Sequence, residues 1–186
     1  QMNRSSELII VNDGSTDKSL QKINSFLKKK KISHKLINQT NTGPSIAINN
    51  ALKKVKFSFV KLVDGDDILA PDAIDFMFKT MVNSKLDLLY GDWKWVKNPK
   101  KYSFKKSQNN HTKIMSDAIT KLLAKGWGGS SNLMIKTESF KKVGGCDENV
   151  FVQDYSIPLR IAGNHLKSSA SKQYKVAVTS KLICVC

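Results

Sequence analysis

The sequence predicts an α/β protein in which a mostly parallel sheet is flanked by helices. Short, continuous apolar runs alternate with helical patterns of about a dozen residues through the first half of the chain. Runs that are apolar throughout suit strands buried on both faces, as parallel sheets require. With 186 residues, 40% of them hydrophobic, the chain is long enough for one domain with a sizeable core.

The first half of the chain supplies four strand candidates separated by helices. The expected strands are residues 7–11, 34–38, 57–63 and 86–92. Asp17 precedes the first helix, and Pro44 and Pro71 open the next two, at a position where a missing N–H costs nothing. This order indicates βαβ units, whose ligands bind beyond the carboxyl ends of the strands.

The pattern loosens after residue 92. A polar loop is expected over 97–113, a helix over 116–125 and a strand within 126–136. A short helix follows from Thr137 to a glycine pair, and a last helix is expected from Gln153. No linker divides the chain, so we expect one domain.

The net charge of +16 raises the question of a nucleic-acid partner. The lysines are spread over predicted helices and loops, and the densest run, 28–31, lies at a helix end where cations suit the dipole. No interleaving of aromatic and basic residues, typical of an RNA-binding sheet, accompanies the charge. We therefore expect a solvated basic surface and no nucleic-acid partner.

The cysteines and the apolar runs bear on the cellular location. Cys146, Cys184 and Cys186 are odd in number and show no C-x-x-C or Cys/His spacing, so the sequence indicates neither a disulfide framework nor a zinc site. No run approaches the ~18 apolar residues that span a bilayer, and no signal peptide opens the chain. The expected location is the cytoplasm, with peripheral association at the inner face of the membrane through regions outside this sequence.

Residues 59–71, FVKLVDGDDILAP, end an apolar run in three carboxylates, Asp64, Asp66 and Asp67. Like charges this close raise one another's pKa unless a cation lies among them. Such a group can hold a divalent cation, share a proton or decorate a loop. An EF-hand is excluded because no glycine stands sixth from Asp64 or from Asp13. Asp13 follows the first strand, so both acidic groups are expected at one crevice.

Three stretches in order carry a family resemblance: IIVNDGSTDKS, the DGDD group and VGGCDENVFVQDYSIPLRIAG. Together with NTGPSIAIN, they resemble the family 2 glycosyltransferases from about Glu7 to about Gly163. The resemblance implies an inverting enzyme of Rossmann-like GT-A fold that uses Mg²⁺ or Mn²⁺. Its substrates would be a nucleotide-diphospho sugar and a polysaccharide or lipid-linked acceptor. Residues 1–92 would form the nucleotide-sugar half and residues 93–186 the acceptor-side half of one partial domain.

The resemblance assigns roles on the donor side. Asp66 would bind the cation, Asp64 would face the ribose and the waters of the metal, and Asp67 would be structural. Asp13 would accept a hydrogen bond from the nucleobase, with an Asx-turn role as the alternative. Gly43 would open the helix that faces the diphosphate, whose N-terminus favours an anion.

On the acceptor side, Asp154 resembles the base that takes the proton of the acceptor hydroxyl as it attacks the anomeric carbon. An N-cap role is the alternative, since a helix begins there. Trp127 lies where the acceptor loop would be and either stacks on the apolar face of a sugar or is a core tryptophan under a glycine turn. Trp93 and Trp95 share one face of a strand and either line the acceptor cleft or belong to the core. Arg160 is a diphosphate partner or a surface cation.

Three positions depart from the family pattern. Asn12, Ile48 and Gln153 stand where the family usually has Asp, Arg and Glu. They favour an alternative, a degenerate nucleotide-sugar binder without catalysis; a basic nucleic-acid module and a nucleotidyltransferase are further alternatives. The family's domain normally opens with one more βα unit, which QMNRSS cannot supply, so the resemblance also implies a fragment truncated at both ends, with weak or no activity.

Overall fold

The computed structural model describes residues 6–105, 110–125, 128–150, 152–167 and 172–186. The helices are α1 (Ser19–Lys30), α2 (Pro44–Leu52), α3 (Ala73–Asn83), α4 (Ala118–Lys125), α5 (Thr137–Lys142) and α6 (Gln153–Ala162). The strands are β1 (Leu8–Asp13), β2 (His34–Gln39), β3 (Phe59–Lys61), β4 (Ile68–Leu69), β5 (Leu88–Lys94), β6 (Thr112–Ile114), β7 (Leu133–Lys136) and β8 (Val176–Val185). The predicted α/β architecture is confirmed. Within these ranges, no helix combines the length and apolarity that crossing a membrane requires.

The strands form two sheets. β1 and β2 pair in parallel, from Leu8 opposite His34 to Asp13 opposite Gln39. The second sheet has the order β3-β7-β5-β8-β4, with β6 also paired to β8. Only β5 and β8 are parallel among the described pairs of this sheet. The expectation of a mostly parallel sheet is therefore wrong, and the sheet is mixed.

The sheet is mixed because β7, from the second half of the chain, pairs antiparallel to two strands of the first half, whereas β8 pairs parallel to β5. β7 inserts between β3 and β5 and runs opposite to both. β3 and β5 consequently run in the same direction, as the βαβ order requires, without being neighbours. β4 and β6 add to β8 in the antiparallel sense. Whether a further strand precedes β1 stays a prediction.

Helices cover both faces of the larger sheet. One apolar cluster contains Leu88, Tyr90, Leu133, Ile135, Leu122, Phe140, Ile157 and Ile161. The other contains Leu89, Met134, Ala177, Ile183, Met77 and Met81. Successive residues of β5 thus enter opposite clusters, as the alternation of side chains along a strand dictates. Helices α4, α5 and α6 lie on one face and α3 on the other, which leaves the ends of the strands for the site.

Candidate functional site

The acidic turn, residues 64–67, connects β3 to β4. It is closed by a hydrogen bond of 3.3 Å from the backbone N–H of Asp67 to the carbonyl of Asp64. The backbone N–H of Asp64 donates to Ser131 Oγ at 2.8 Å. Asp64 and Asp66 are exposed and Asp67 is half-buried. The two carboxylates expected to face the nucleotide and the cation are therefore accessible from solvent.

Lys61, the last residue of β3, places an amine beneath the acidic turn. Its Nζ donates to the carbonyl of Leu62 at 2.9 Å and to the carbonyl of Ser131. Burial lowers the pKa of Lys61 to about 8, against the attraction of Cys184 and the carboxylates Asp64 and Asp67. Sequence reasoning missed this residue.

The electrostatics of the acidic turn favour an additional cation. Partial desolvation raises the pKa of Asp64, and the charges of Asp67, Asp66 and Asp154 raise it further, while Lys61 lowers it. The net direction is upward. The amine of Lys61 therefore does not offset the combined effect of desolvation and of the neighbouring carboxylates, and a divalent cation would relieve the repulsion among them.

Asp154 is the second residue of α6 and contacts the loop that precedes β7. Its Oδ2 accepts a hydrogen bond of 2.6 Å from the backbone N–H of Gly129. The neighbouring Gln153 donates from Nε2 to Ser130 Oγ at 3.2 Å. The N-cap of α6 is Val152 and lacks a side-chain cap bond, so Asp154 does not cap its helix.

The glycine loop, residues 128–132, requires its glycines. Gly129 has a φ of 103°, in the region that L side chains rarely adopt. A Cβ on Gly128 would lie 3.3 Å from Asp154 Oδ2. The backbone can therefore approach the carboxylate closely only because this segment carries glycine.

The glycine loop joins Asp154 to the acidic turn. Gly129 holds the Asp154 carboxylate, and Ser131, two residues on, accepts from Asp64 and from Lys61. The charge of Asp154 reaches Asp64, where it contributes to the raised pKa. Two aspartates that lie far apart along the chain thus belong to one site.

Asp13 lies at the end of β1, next to the N-terminus of α2. Its Oδ1 accepts from Gln39 Nε2 and the Thr42 backbone N–H, each at 2.9 Å, and from Thr42 Oγ1 at 3.3 Å. Its Oδ2 accepts from the Gly43 backbone N–H at 2.9 Å. Partial burial acts to raise the pKa of Asp13, but these hydrogen bonds outweigh it and the pKa is lowered. Gly43, with a φ of 86°, is the N-cap of α2.

Helix α2 connects the Asp13 group to the segment that leads into α6. Ser45 Oγ donates to the Val150 carbonyl at 2.9 Å. Asn49 exchanges hydrogen bonds with the backbone of Cys146 and donates to Glu148 Oε1 at 2.8 Å. Asn49 is therefore a packing residue. These contacts set the N-terminus of α2 beside the chain that delivers Asp154.

The remaining candidates have distinct surroundings. Trp93 is 44% exposed and Trp95 is 71% exposed, so the core interpretation is wrong for both. Trp127 lies outside the described residues. Arg160 forms an ion pair of 3.2 Å with Asp147 and donates to the Val143 carbonyl at 2.6 Å. It is half-buried, and it fastens α6 to the preceding loop.

The departures at positions 12 and 48 have structural reasons. Asn12 is buried, and its Nδ2 donates to Asn38 Oδ1 at 2.5 Å, a bond between β1 and β2 that a carboxylate could not donate. Ile48 packs against the apolar cluster under α4, α5 and α6. The side chain of Ile48 is therefore directed into the protein, away from any phosphate.

Comparisons with known proteins agree on one family. The model of the family described as "Glycosyl transferase family 2" matches residues 1–144. An uncharacterized glycosyltransferase of Haemophilus influenzae is 28% identical over 187 residues, covering 94% of this chain and 70% of that protein. A poly-beta-1,6-N-acetyl-D-glucosamine synthase of Staphylococcus epidermidis is 32% identical over 88 residues, which are 46% of this chain and 21% of the relative.

Solved structures share the fold. S. aureus TarS 1-349 in complex with UDP-GlcNAc superimposes with a TM-score of 0.71 at 20% identity, over 97% of this chain and 49% of that chain. The mannosyltransferase PcManGT from Pyrobaculum calidifontis, in complex with GDP-Man and Mn²⁺, gives a TM-score of 0.66 at 18% identity, over 96% and 47%. The chain thus spans about half the length of these structures. The predicted GT-A fold is confirmed.

Proposed function

Because this chain belongs to glycosyl transferase family 2, we propose that it transfers a sugar from a nucleotide-diphosphate donor to an acceptor hydroxyl with inversion at the anomeric carbon. The observation that carries the proposal is the link between Asp64 and Asp154 through the glycine loop. Sugar transfer requires a group that holds the leaving diphosphate and a base near the attacking hydroxyl. The acidic turn and Asp154 are suited to these two tasks.

The acidic turn fits a divalent cation. Asp66 and Asp64 offer exposed carboxylate oxygens, the ligands that Mg²⁺ and Mn²⁺ prefer. The pKa of Asp64 is raised first by desolvation and then by the charges of Asp67, Asp66 and Asp154, and a cation would offset that repulsion. A bound cation would neutralise the charge that grows on the diphosphate as the sugar–phosphate bond breaks. The Mn²⁺ of PcManGT supports the choice of a divalent cation.

Asp154 serves as the base in this proposal. The hydrogen bond from Gly129 holds Oδ2 and orients the carboxylate, which has Oδ1 as its second oxygen. Oδ1 can therefore take the proton as the acceptor oxygen attacks the anomeric carbon and the nucleoside diphosphate leaves. Gln153 donates to Ser130 and adds no charge beside the base.

Donor and acceptor are proposed by class. A nucleotide-diphospho hexose agrees with the UDP-GlcNAc and GDP-Man complexes of the solved structures, with Asp13 and Gly43 on the nucleotide side. Exposed Trp93 can stack on the apolar face of a saccharide or lipid-linked acceptor. The three cysteines are free thiols, in keeping with a cytoplasmic location, where a lipid-linked acceptor would bring the protein to the membrane surface. The division into halves at residue 92 stays a prediction.

Calorimetric titration with UDP, GDP and dTDP, each with and without Mn²⁺, tests the donor side. We expect one nucleotide to bind tightly with Mn²⁺ and at least about tenfold more weakly without it, and Asp66→Asn to abolish the difference. Binding that ignores Mn²⁺ in the unaltered protein would contradict the proposed cation site. The alternative, a binder without catalysis, is favoured by the inward Ile48; it predicts the same titrations but no turnover with any acceptor.

A further inference from the structure

Two thiols and a carboxylate meet beneath the acidic turn. A carboxylate oxygen of Asp67 and the Sγ atoms of Cys184 and Cys186 all lie within 4.8 Å of one another. Cys184 is 1% exposed, and Cys186 and Asp67 are half-buried. Cys184 lies near the end of β8 and Cys186 directly follows that strand, whereas Asp67 immediately precedes β4. The group therefore joins two elements that are distant along the chain.

Backbone pairing sets this geometry. Cys184 lies in β8 and Cys186 directly follows its last residue, Val185; two residues apart in an extended chain, their side chains share one face. β4 pairs antiparallel to β8 with Ile68 opposite Val185, and continuing this register by one residue sets Asp67 opposite Cys186. On the other side of β8, the N–H of Cys186 donates to the Lys94 carbonyl at 3.1 Å. Both cysteines therefore stand on hydrogen-bonded backbone, and Asp67, the last residue of the acidic turn, directly precedes a paired strand.

We propose that Asp67, Cys184 and Cys186 form a second cation site, distinct from that of Asp64 and Asp66, for a thiophilic divalent cation such as Zn²⁺. Thiolate sulfur selects zinc-like ions over Mg²⁺ and Mn²⁺, which prefer oxygen. Tetrahedral zinc needs its ligand atoms about 3.3–3.8 Å apart, given bonds of about 2.0–2.3 Å. The three ligand atoms lie within 4.8 Å of one another, so side-chain movements of about an ångström bring them to this spacing. Water completes the fourth position.

The protons and charges of this site balance. Burial raises the pKa of Cys184 to about 11 and that of Cys186 to about 12, the latter also through its hydrogen bond to Asp67. Both thiols are therefore protonated without a cation, and binding releases two protons to solvent. The complex of one divalent cation with two thiolates and one carboxylate carries a single negative charge. The Lys61 amine, which interacts with Cys184 and Asp67, stabilises that charge.

A titration of the reduced protein with Co²⁺, followed by displacement with Zn²⁺, tests the proposal. Thiolate ligands give Co²⁺ a charge-transfer absorption that oxygen ligands do not. We expect this absorption at one Co²⁺ per chain, its loss in Cys186→Ser, and a Zn²⁺ affinity at least about 100-fold lower in that variant. Cys146→Ser removes a buried thiol outside the group and Asp66→Asn alters the other cation site; both should keep the absorption.

Several results would overturn the proposal. The proposal fails if the unaltered protein shows no charge-transfer absorption, if Cys186→Ser keeps the absorption, or if Cys146→Ser removes it equally. Circular dichroism checks that each variant is folded. If Cys184→Ser, at the most buried position, does not fold, Cys186→Ser and Asp67→Asn decide the question, since both positions are half-buried.

Discussion

Replacing Asp154 with Asn separates sugar transfer from donor binding. The substitution removes the negative charge and keeps an oxygen that can accept from Gly129, whose N–H lies 2.6 Å from Oδ2. The amide cannot take a proton from the acceptor hydroxyl. Loss of a general base costs about 10²–10⁴-fold in rate, or about 2.7–5.5 kcal/mol of transition-state stabilisation. We expect kcat to fall by this factor while the Kd of the donor changes by less than about threefold.

Asp75→Asn is the matched control. Asp75 lies in the first turn of α3, as Asp154 lies in the first turn of α6, and its side chain is exposed and paired with Lys79. Its substitution should leave kcat and the donor Kd unchanged. The assay measures release of the nucleoside diphosphate with a saccharide acceptor, and calorimetry measures donor binding. A fall in kcat of less than tenfold in Asp154→Asn, or an equal loss of donor affinity, would refute the assignment of Asp154 as the base.

Three further predictions concern the acidic turn, the glycine loop and the Asp13 group. Because its pKa is raised, Asp64 gains its proton at a higher pH than an ordinary Asp. Mn²⁺ affinity, measured by calorimetry, should therefore begin to fall at a pH above the usual Asp range as the pH is lowered. An affinity that stays constant as the pH falls into the usual Asp range would contradict this prediction. Gly129→Ala should lower the free energy of unfolding, measured by urea unfolding, by about 1–2 kcal/mol because Gly129 has a φ of 103°. Gly65→Ala is the control: a Cβ at position 65 meets nothing within 4 Å, so the change should be less than about 0.5 kcal/mol. Asp13→Ala leaves the N–H groups of residues 42 and 43 without their acceptor and should lower the free energy of unfolding by about 1–2 kcal/mol. Asp13→Asn keeps an acceptor oxygen and should lower it by less. The pKa of Asp13 is lower in the folded than in the unfolded protein. Its contribution to stability is therefore fully present above the pKa of the unfolded state and is lost as the pH falls through the pKa of the folded state. If Asp13→Ala and the unaltered protein unfold in acid with the same profile, this account is wrong.

The sequence predicted the parts of the fold that depend on local patterns. The alternation of apolar runs and helical repeats in the first half located β1, β2, β3 and β5 and the helices between them. The partners of these strands were not predicted, because pairing depends on residues far along the chain. β8 was not predicted, although its sequence VAVTSKLICV is rich in the apolar and β-branched residues that favour a strand. It lies beside β5 in the larger sheet.

The sequence indicated which residue types form the candidate site, but not the residues that hold them in place through hydrogen bonds. The carboxylates that follow a strand pointed to Asp64, since ligands collect at strand ends, whereas Asp154 was assigned only through the family resemblance. Nothing local indicated that Ser131 would accept from Asp64, because that hydrogen bond spans 67 positions. Lys61 was read as part of an apolar run, although a lysine next to three carboxylates is a signal in itself. Likewise, the spacing of the cysteines did not reveal Asp67 as a neighbour, since β4 brings it there.

A chain of net charge +16 can carry an acidic turn because the lysines and the carboxylates act at different distances. In the proposed function, the many lysines would attract an anionic donor from a distance, an effect that salt screens over about 8 Å at physiological ionic strength. At contact, the same donor would meet Asp64, Asp66 and Asp67, which would repel its phosphates unless a cation lay between them. Added salt should therefore slow donor association with a modest loss of affinity, whereas removal of Mn²⁺ should weaken the bound complex much more. Equal sensitivity to both would mean that the lysines, rather than the acidic turn with its cation, hold the diphosphate.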